Sequence, residues 1–98
     1  MSMAGGHSAM NEPDAEKKAQ FEGFKAIVEA KANATYATFV AVKYTQQVVA
    51  GMIYQVKYQV GDAEFVHAKV VVPLPHTGNP PEVMAFVGGQ TADAEFAF

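Results

Sequence analysis

The chain contains no cysteine, arginine or tryptophan among its 98 residues, and only two serines. The lack of cysteine excludes disulfides, thiolate nucleophiles and cysteine-based zinc sites. Ser2 and Ser8 both lie near the N-terminus, which argues against a Ser-His-Asp catalytic site. His7, His67 and His76 are scattered over three segments and lack the spacing of metal ligands. We therefore predict a protein that is not an enzyme and that holds no metal or cofactor.

The charge pattern also excludes several partners. The formal net charge is −3, and all seven basic residues are lysines, spread singly apart from Lys17 and Lys18. Nucleic-acid binders usually carry a basic patch, so no nucleic-acid partner is expected. No apolar run approaches the ~20 residues that span a bilayer, and no signal peptide is visible. These features predict a cytoplasmic protein with no membrane partner, and they leave secretion by an unconventional route open.

The chain is predicted to form a single domain over residues 1–98, beginning with a flexible arm over residues 1–11 that is small and polar. Apolar residues at 3–4 spacing then predict one helix from about Asn11 to Ala32. Asn11 is its expected N-cap, and Asn33 suits its end. Gly23 lies inside this helix, where glycine costs ~1 kcal/mol relative to alanine.

After the helix the apolar period changes to two, which predicts β-strands joined by turns. The third strand should place His67 on a solvated face, and Gly88-Gly89 should break the last strand. Phe96 and Phe98 are candidates to anchor the C-terminus. One helix followed by about four antiparallel strands predicts an α+β fold. The alternating apolar residues are Val40, Val42 and Tyr44; Tyr54, Val56 and Tyr58; Val66, Ala68, Val70 and Val72; and Val83, Ala85 and Val87.

The segment Gln47–Gly51 interrupts the longest alternating stretch and reads as the tip of a hairpin. Turns normally use Asn, Asp, Ser, Pro and Gly, whereas this one carries Val48 and Val49. An apolar tip on a soluble protein indicates a contact surface. In an antiparallel meander the loop at Leu74–His76 should lie at the same end of the sheet, beside this tip.

Three motifs resemble the cystatin superfamily of cysteine-protease inhibitors. Gln47-Val48-Val49-Ala50-Gly51 resembles the Q-x-V-x-G signature, Leu74-Pro75-His76 resembles the second-loop Leu-Pro-His, and Gly5-Gly6 resembles the N-terminal glycine. They occur in the family's order, and the lack of cysteine and of a signal sequence points to the stefin (type 1) branch. The resemblance implies a cystatin-like α+β fold, with one N-terminal helix packed across a four- to five-stranded antiparallel sheet.

The resemblance also implies a function and a site. The function is reversible, tight, competitive inhibition of papain-like cysteine proteases such as cathepsins, by a wedge of the arm and two hairpin loops. The register of the arm is open by one residue, because either of two glycines can take the family's position. The protease-binding residues that the resemblance implies are Met3, Ala4, Gly5, Gly6, Gln47, Val48, Val49, Ala50, Gly51, Leu74, Pro75 and His76.

A second hypothesis is a non-inhibitory or self-associating module with the same fold. The segment from Thr38 to Val60 has high β-propensity and carries only two charges, Lys43 and Lys57. Such a segment favours strand exchange between copies if the hairpin at Gln47–Gly51 opens. The sequence therefore allows a monomer or a domain-swapped dimer.

Overall fold

A computed structural model describes residues 10–96 and residue 98. Within that part of the chain, two short helices precede an antiparallel sheet whose four strands lie in chain order, which confirms the α+β prediction. The elements are α1 (Ala15–Glu22), α2 (Lys25–Ala32), β1 (Val40–Val49), β2 (Gly51–Gln59), β3 (Phe65–Pro73), a 3-10 turn (Pro75–Thr77) and β4 (Glu82–Gln90).

The single helix predicted from Asn11 is wrong at its start. Helix α1 begins at Ala15 after Asp14, whose carboxylate accepts a hydrogen bond from the backbone N–H of Lys17 at 2.8 Å. A carboxylate in this position satisfies one of the free N–H groups at a helix start. Asn11 instead exchanges two backbone hydrogen bonds, both 2.8 Å, with Tyr44 of β1. The incoming chain therefore lies along the outer edge of β1.

The predicted helix is also interrupted at Gly23 and Phe24. The Phe24 N–H donates to the Phe21 carbonyl across only three residues, and the Tyr58 hydroxyl donates to the same carbonyl at 2.7 Å. This tight turn splits the helix, and the buried tyrosine of β2 holds the split in place. Helix α2 ends at Ala32 and is capped by Asn33, whose φ of 57° is the left-handed conformation expected at a helix end.

The core lies between the helices and one face of the sheet. Aromatic rings dominate it: Phe39 stacks on Tyr58 with ring centroids 4.0 Å apart, and Phe21 lies 4.9 Å from Tyr54. Each aromatic side chain buries a large apolar area, so these rings matter strongly for the stability of so small a domain. The buried apolar residues of this core are Phe21, Phe24, Val28, Phe39, Ala41, Tyr54, Val56, Tyr58, Val66, Ala68, Val70 and Val83.

The prediction that His67 lies on a solvated face is wrong, because the C-terminal segment covers that face of the sheet. His67 and its neighbour on β2, Lys57, are each 1% exposed. The Lys57 ammonium donates to the carbonyl oxygens of Ala92 and Ala94, the latter at 2.8 Å. The Phe96 ring lies 4.5 Å from the His67 ring, so this phenylalanine does anchor the tail.

The expected break at Gly88-Gly89 is also wrong, since β4 continues through both glycines to Gln90. The pairing slips by one residue between His67–Val87 and Phe65–Gln90. Gly89 has a φ of +63°, the left-handed conformation that a β-bulge often places on glycine. The glycines thus bend the strand where the sequence suggested that it stops.

Candidate functional site

The hairpin between β1 and β2 keeps its strand pairing up to its tip. Val48 pairs with Met52 and Val49 with Gly51, which leaves Ala50 alone between the two strands. Val48 is 74% exposed and Val49 is 44% exposed. The tip therefore presents two apolar side chains to solvent on a backbone that is already held by hydrogen bonds.

Gly51 is the residue that brings the second loop against this tip. It pairs with Pro73 at the end of β3 and has a φ of +119°. A Cβ at this position would lie 2.5 Å from the Val72 carbonyl oxygen and 3.2 Å from the Leu74 backbone nitrogen. Both the left-handed backbone and the lack of space exclude a larger residue. The two loops consequently meet backbone to backbone at Gly51.

The second loop starts with Leu74 in an extended conformation, followed by a short 3-10 turn over Pro75–Thr77. Leu74 is 40% exposed, and Pro75 and His76 are exposed as well. Gly78, with a φ of +72°, closes the turn in the left-handed conformation. Leu74 thus lies at the same end of the sheet as Val48 and Val49, one strand away, and these three residues form what we call the apolar edge.

The four arm residues of the predicted site, Met3, Ala4, Gly5 and Gly6, lie outside the described residues. The nearest described contact is the antiparallel bridge from Asn11 to Tyr44. Because β1 runs from Val40 towards Val49, a chain that pairs antiparallel to it at Tyr44 enters from the side of the tip. The backbone hydrogen bonds between Asn11 and Tyr44 therefore fix the direction of the chain at Asn11.

Three groups of β2 and β3 with shifted pKa values lie away from the apolar edge. Burial lowers the pKa of His67 to about 4, and the positive charge of Lys57 adds to this effect. Burial also lowers the pKa of Lys57 and raises that of Tyr58. All three residues lie in the middle or at the far end of the sheet, so the edge itself contacts its surroundings through apolar and backbone groups.

Among residues 10–96 and 98, no cluster of three or more His, Cys, Asp or Glu side chains is arranged to hold a metal ion. The same range has no helix of the length and apolar character needed to cross a membrane.

Sequence reasoning missed Thr77, which is the residue that organises the second loop. Its hydroxyl donates to the Leu74 carbonyl oxygen at 2.8 Å, and its backbone N–H donates to the same oxygen at 3.0 Å. The hydroxyl oxygen also accepts a hydrogen bond from the Asn79 N–H at 3.2 Å. A threonine followed by glycine, two residues after a proline, was the available signal for such a turn.

The comparison with known proteins agrees with this geometry. A model of the cystatin domain matches residues 9–91. Stefin-C from Bos taurus is 35% identical over 94 residues, covering 96% of this chain and 93% of that protein. Cystatin-A1 from Sus scrofa is 42% identical over 71 residues, covering 72% and 69%. Leukocyte cysteine proteinase inhibitor 1, also from Sus scrofa, is 39% identical over 71 residues with the same two coverages. The chain belongs to the cystatin family and is a stefin.

Proposed function

We propose that this protein is a reversible, tight, competitive inhibitor of papain-like cysteine proteases of the cathepsin type. The observation that carries the proposal is the apolar edge, in which exposed Val48, Val49 and Leu74 lie at one end of the sheet on two loops that meet at Gly51. A similar protein from Sus scrofa bears the name of a cysteine proteinase inhibitor, which supports the same reading.

The tip is suited to entering a protease cleft because it is formed before binding. Its strand pairing extends to Val49 and Gly51, so docking orders little additional backbone. Val48 and Val49 would then bury apolar area over the catalytic centre, at ~25 cal/mol for each Å² removed from water. Gln47 and Ala50 lie on either side of these two valines in the hairpin and would add to the same contact with the protease.

The second loop would add contacts on the primed side of the cleft through Leu74, Pro75 and His76. Pro75 restricts the loop before binding, and the hydrogen bonds from Thr77 hold the carbonyl of Leu74. A loop constrained in this way loses less entropy on docking than a free one. Leu74 is its apolar anchor.

The arm would occupy the non-primed subsites with Met3 and Ala4, and a glycine would let it turn away from the catalytic cysteine. The bridge between Asn11 and Tyr44 supports this assignment. An antiparallel strand continued in that register during binding would bring Gly6 opposite Val49 and Gly5 opposite Ala50. Either glycine would then be level with the tip, and no scissile bond would be presented to the thiolate in a reactive geometry.

In this proposal the protein acts as a cytoplasmic monomer. The competing hypothesis, a self-associating module, requires the turn at Ala50 to open so that β1 and β2 can pair with another copy. Such a dimer would lose the tip and with it the inhibition. Gel filtration of the sample used for inhibition separates the two hypotheses, because a domain-swapped dimer would elute early and inhibit weakly.

The test is a titration of papain at nanomolar concentration with the purified protein, together with the variants Val48→Asp and Ala63→Asp. Ala63 is exposed in the turn between β2 and β3, at the opposite end of the sheet, so it is a matched control for the added charge. We expect stoichiometric, reversible inhibition by the wild type and the control, with the inhibitor left intact, and inhibition at least tenfold weaker for Val48→Asp. A folded wild-type monomer that fails to inhibit at micromolar concentration would contradict the proposal.

A further inference from the structure

Leu74 makes its hydrogen bonds through its backbone, while its side chain belongs to the apolar edge. Its carbonyl oxygen accepts two hydrogen bonds from one residue, Thr77: one from the hydroxyl at 2.8 Å and one from the N–H at 3.0 Å. On the other side, the backbone nitrogen of Leu74 lies close to Gly51 of the tip. The residue is therefore held between the tip and the 3-10 turn.

From these contacts we infer that Thr77 is a positioning residue, whose hydroxyl fixes the direction in which Leu74 projects beside the tip. The inference rests on the proposed function and adds to it a residue outside the motif Leu74–His76. Thr77 is itself exposed and is the last residue of the 3-10 turn, and it acts through the carbonyl of Leu74.

The hydroxyl can do this because it acts in two directions at once. It donates to Leu74 before the turn and accepts from the N–H of Asn79 after the turn, so it joins the two ends of the loop. Gly78 supplies the left-handed backbone, with a φ of +72°, that allows Asn79 to reach back. A methyl group in place of the hydroxyl would break both hydrogen bonds while keeping the β-branched shape of the side chain.

The rigidity of Pro75 alone does not replace the two hydrogen bonds of the Thr77 hydroxyl. Pro75 fixes its own φ, but the directions of Leu74 and Asn79 depend on torsions on either side of it. Losing the two side-chain hydrogen bonds would let Leu74 sample orientations that do not match the cleft. The loop conformation that can bind would then be less populated in the variant than in the wild type. The affinity of the variant would fall in the same proportion.

The test compares the inhibition constants for papain of the wild type, Thr77→Val and Thr77→Ser. Thr77→Val should raise the inhibition constant about 3- to 10-fold, the effect of losing one or two ordinary hydrogen bonds. Thr77→Ser keeps the hydroxyl and should restore the constant to within twofold of the wild type. Thr35→Val, at an exposed site between α2 and β1, is the matched control and should leave the constant unchanged.

Thermal unfolding of the same four proteins distinguishes positioning from a general loss of structure. We expect all of them to melt within a few degrees of each other, because the turn is exposed and distant from the core. An inhibiting wild type with an equally potent Thr77→Val would overturn the inference and leave the proposed function standing. Failure of Thr77→Ser to restore inhibition would also overturn it, whereas a wild type that does not inhibit would refute both.

Discussion

Acidification should destabilise this protein through His67. The ring is 1% exposed, beneath the tail, and its Nε2 atom finds no hydrogen-bond partner in the described part of the chain. Its neighbour Lys57 is positively charged, so protonating the ring would bury a second cation beside the first. The folded state therefore favours the neutral ring.

The sign and size of the effect follow from the two pKa values. Burial, aided by Lys57, lowers the pKa of His67 from 6.5 to about 4, so the unfolded chain binds the proton first. The stabilisation is fully present above pH 6.5 and is lost as the pH falls towards 4. The whole shift corresponds to about 3 kcal/mol in the free energy of unfolding. Because the covering tail is thin and close to solvent, we expect a measured loss of about 1–2 kcal/mol.

The assay is urea unfolding of the wild type and of His67→Gln at pH values from 7.5 to 4. The glutamine variant has no titratable group at position 67. Its free energy of unfolding should therefore change less over this pH range than that of the wild type. His76→Gln removes an exposed histidine on the second loop and should keep the wild-type slope. The comparison between pH 6.5 and 4.5 is decisive, because most of the difference in proton binding at His67 between the folded and the unfolded chain falls in this interval. Equal slopes for the wild type and His67→Gln would refute the reasoning.

Three further predictions follow from single contacts. Phe96→Ala should expose the His67 ring and raise the pKa of His67 towards 6.5, as measured by NMR titration; an unchanged pKa would show that the tail does not cover the ring. Gly51→Ala should lower the free energy of unfolding by about 2 kcal/mol and weaken papain inhibition, because its Cβ meets the Val72 carbonyl oxygen; full potency in the titration would contradict this. Tyr58→Phe removes the hydrogen bond to the Phe21 carbonyl and should cost about 1–2 kcal/mol in urea unfolding with inhibition retained; unaltered stability would argue against that bond.

Several features could be predicted from local patterns in the sequence. The period of two in the strands reports which side chains share a face, because successive residues of a strand point to opposite sides. Asn33 marked the end of the helical region, since its side chain tolerates the left-handed conformation that the structure shows. The tip at Gln47–Gly51 could be located because two valines and a glycine are unusual together in a turn.

The sequence alone thus determined the α+β class, the order of the strands and the motifs of the apolar edge. Only the tertiary structure decided that Tyr58 holds the break in the helix, that Gly51 touches the second loop, and that the tail buries His67. Each of these depends on a partner distant in sequence: Phe21 for Tyr58, Val72 and Leu74 for Gly51, and Phe96 for His67. A local pattern reports the direction of a side chain within its own element, whereas burial depends on what the rest of the chain places over it.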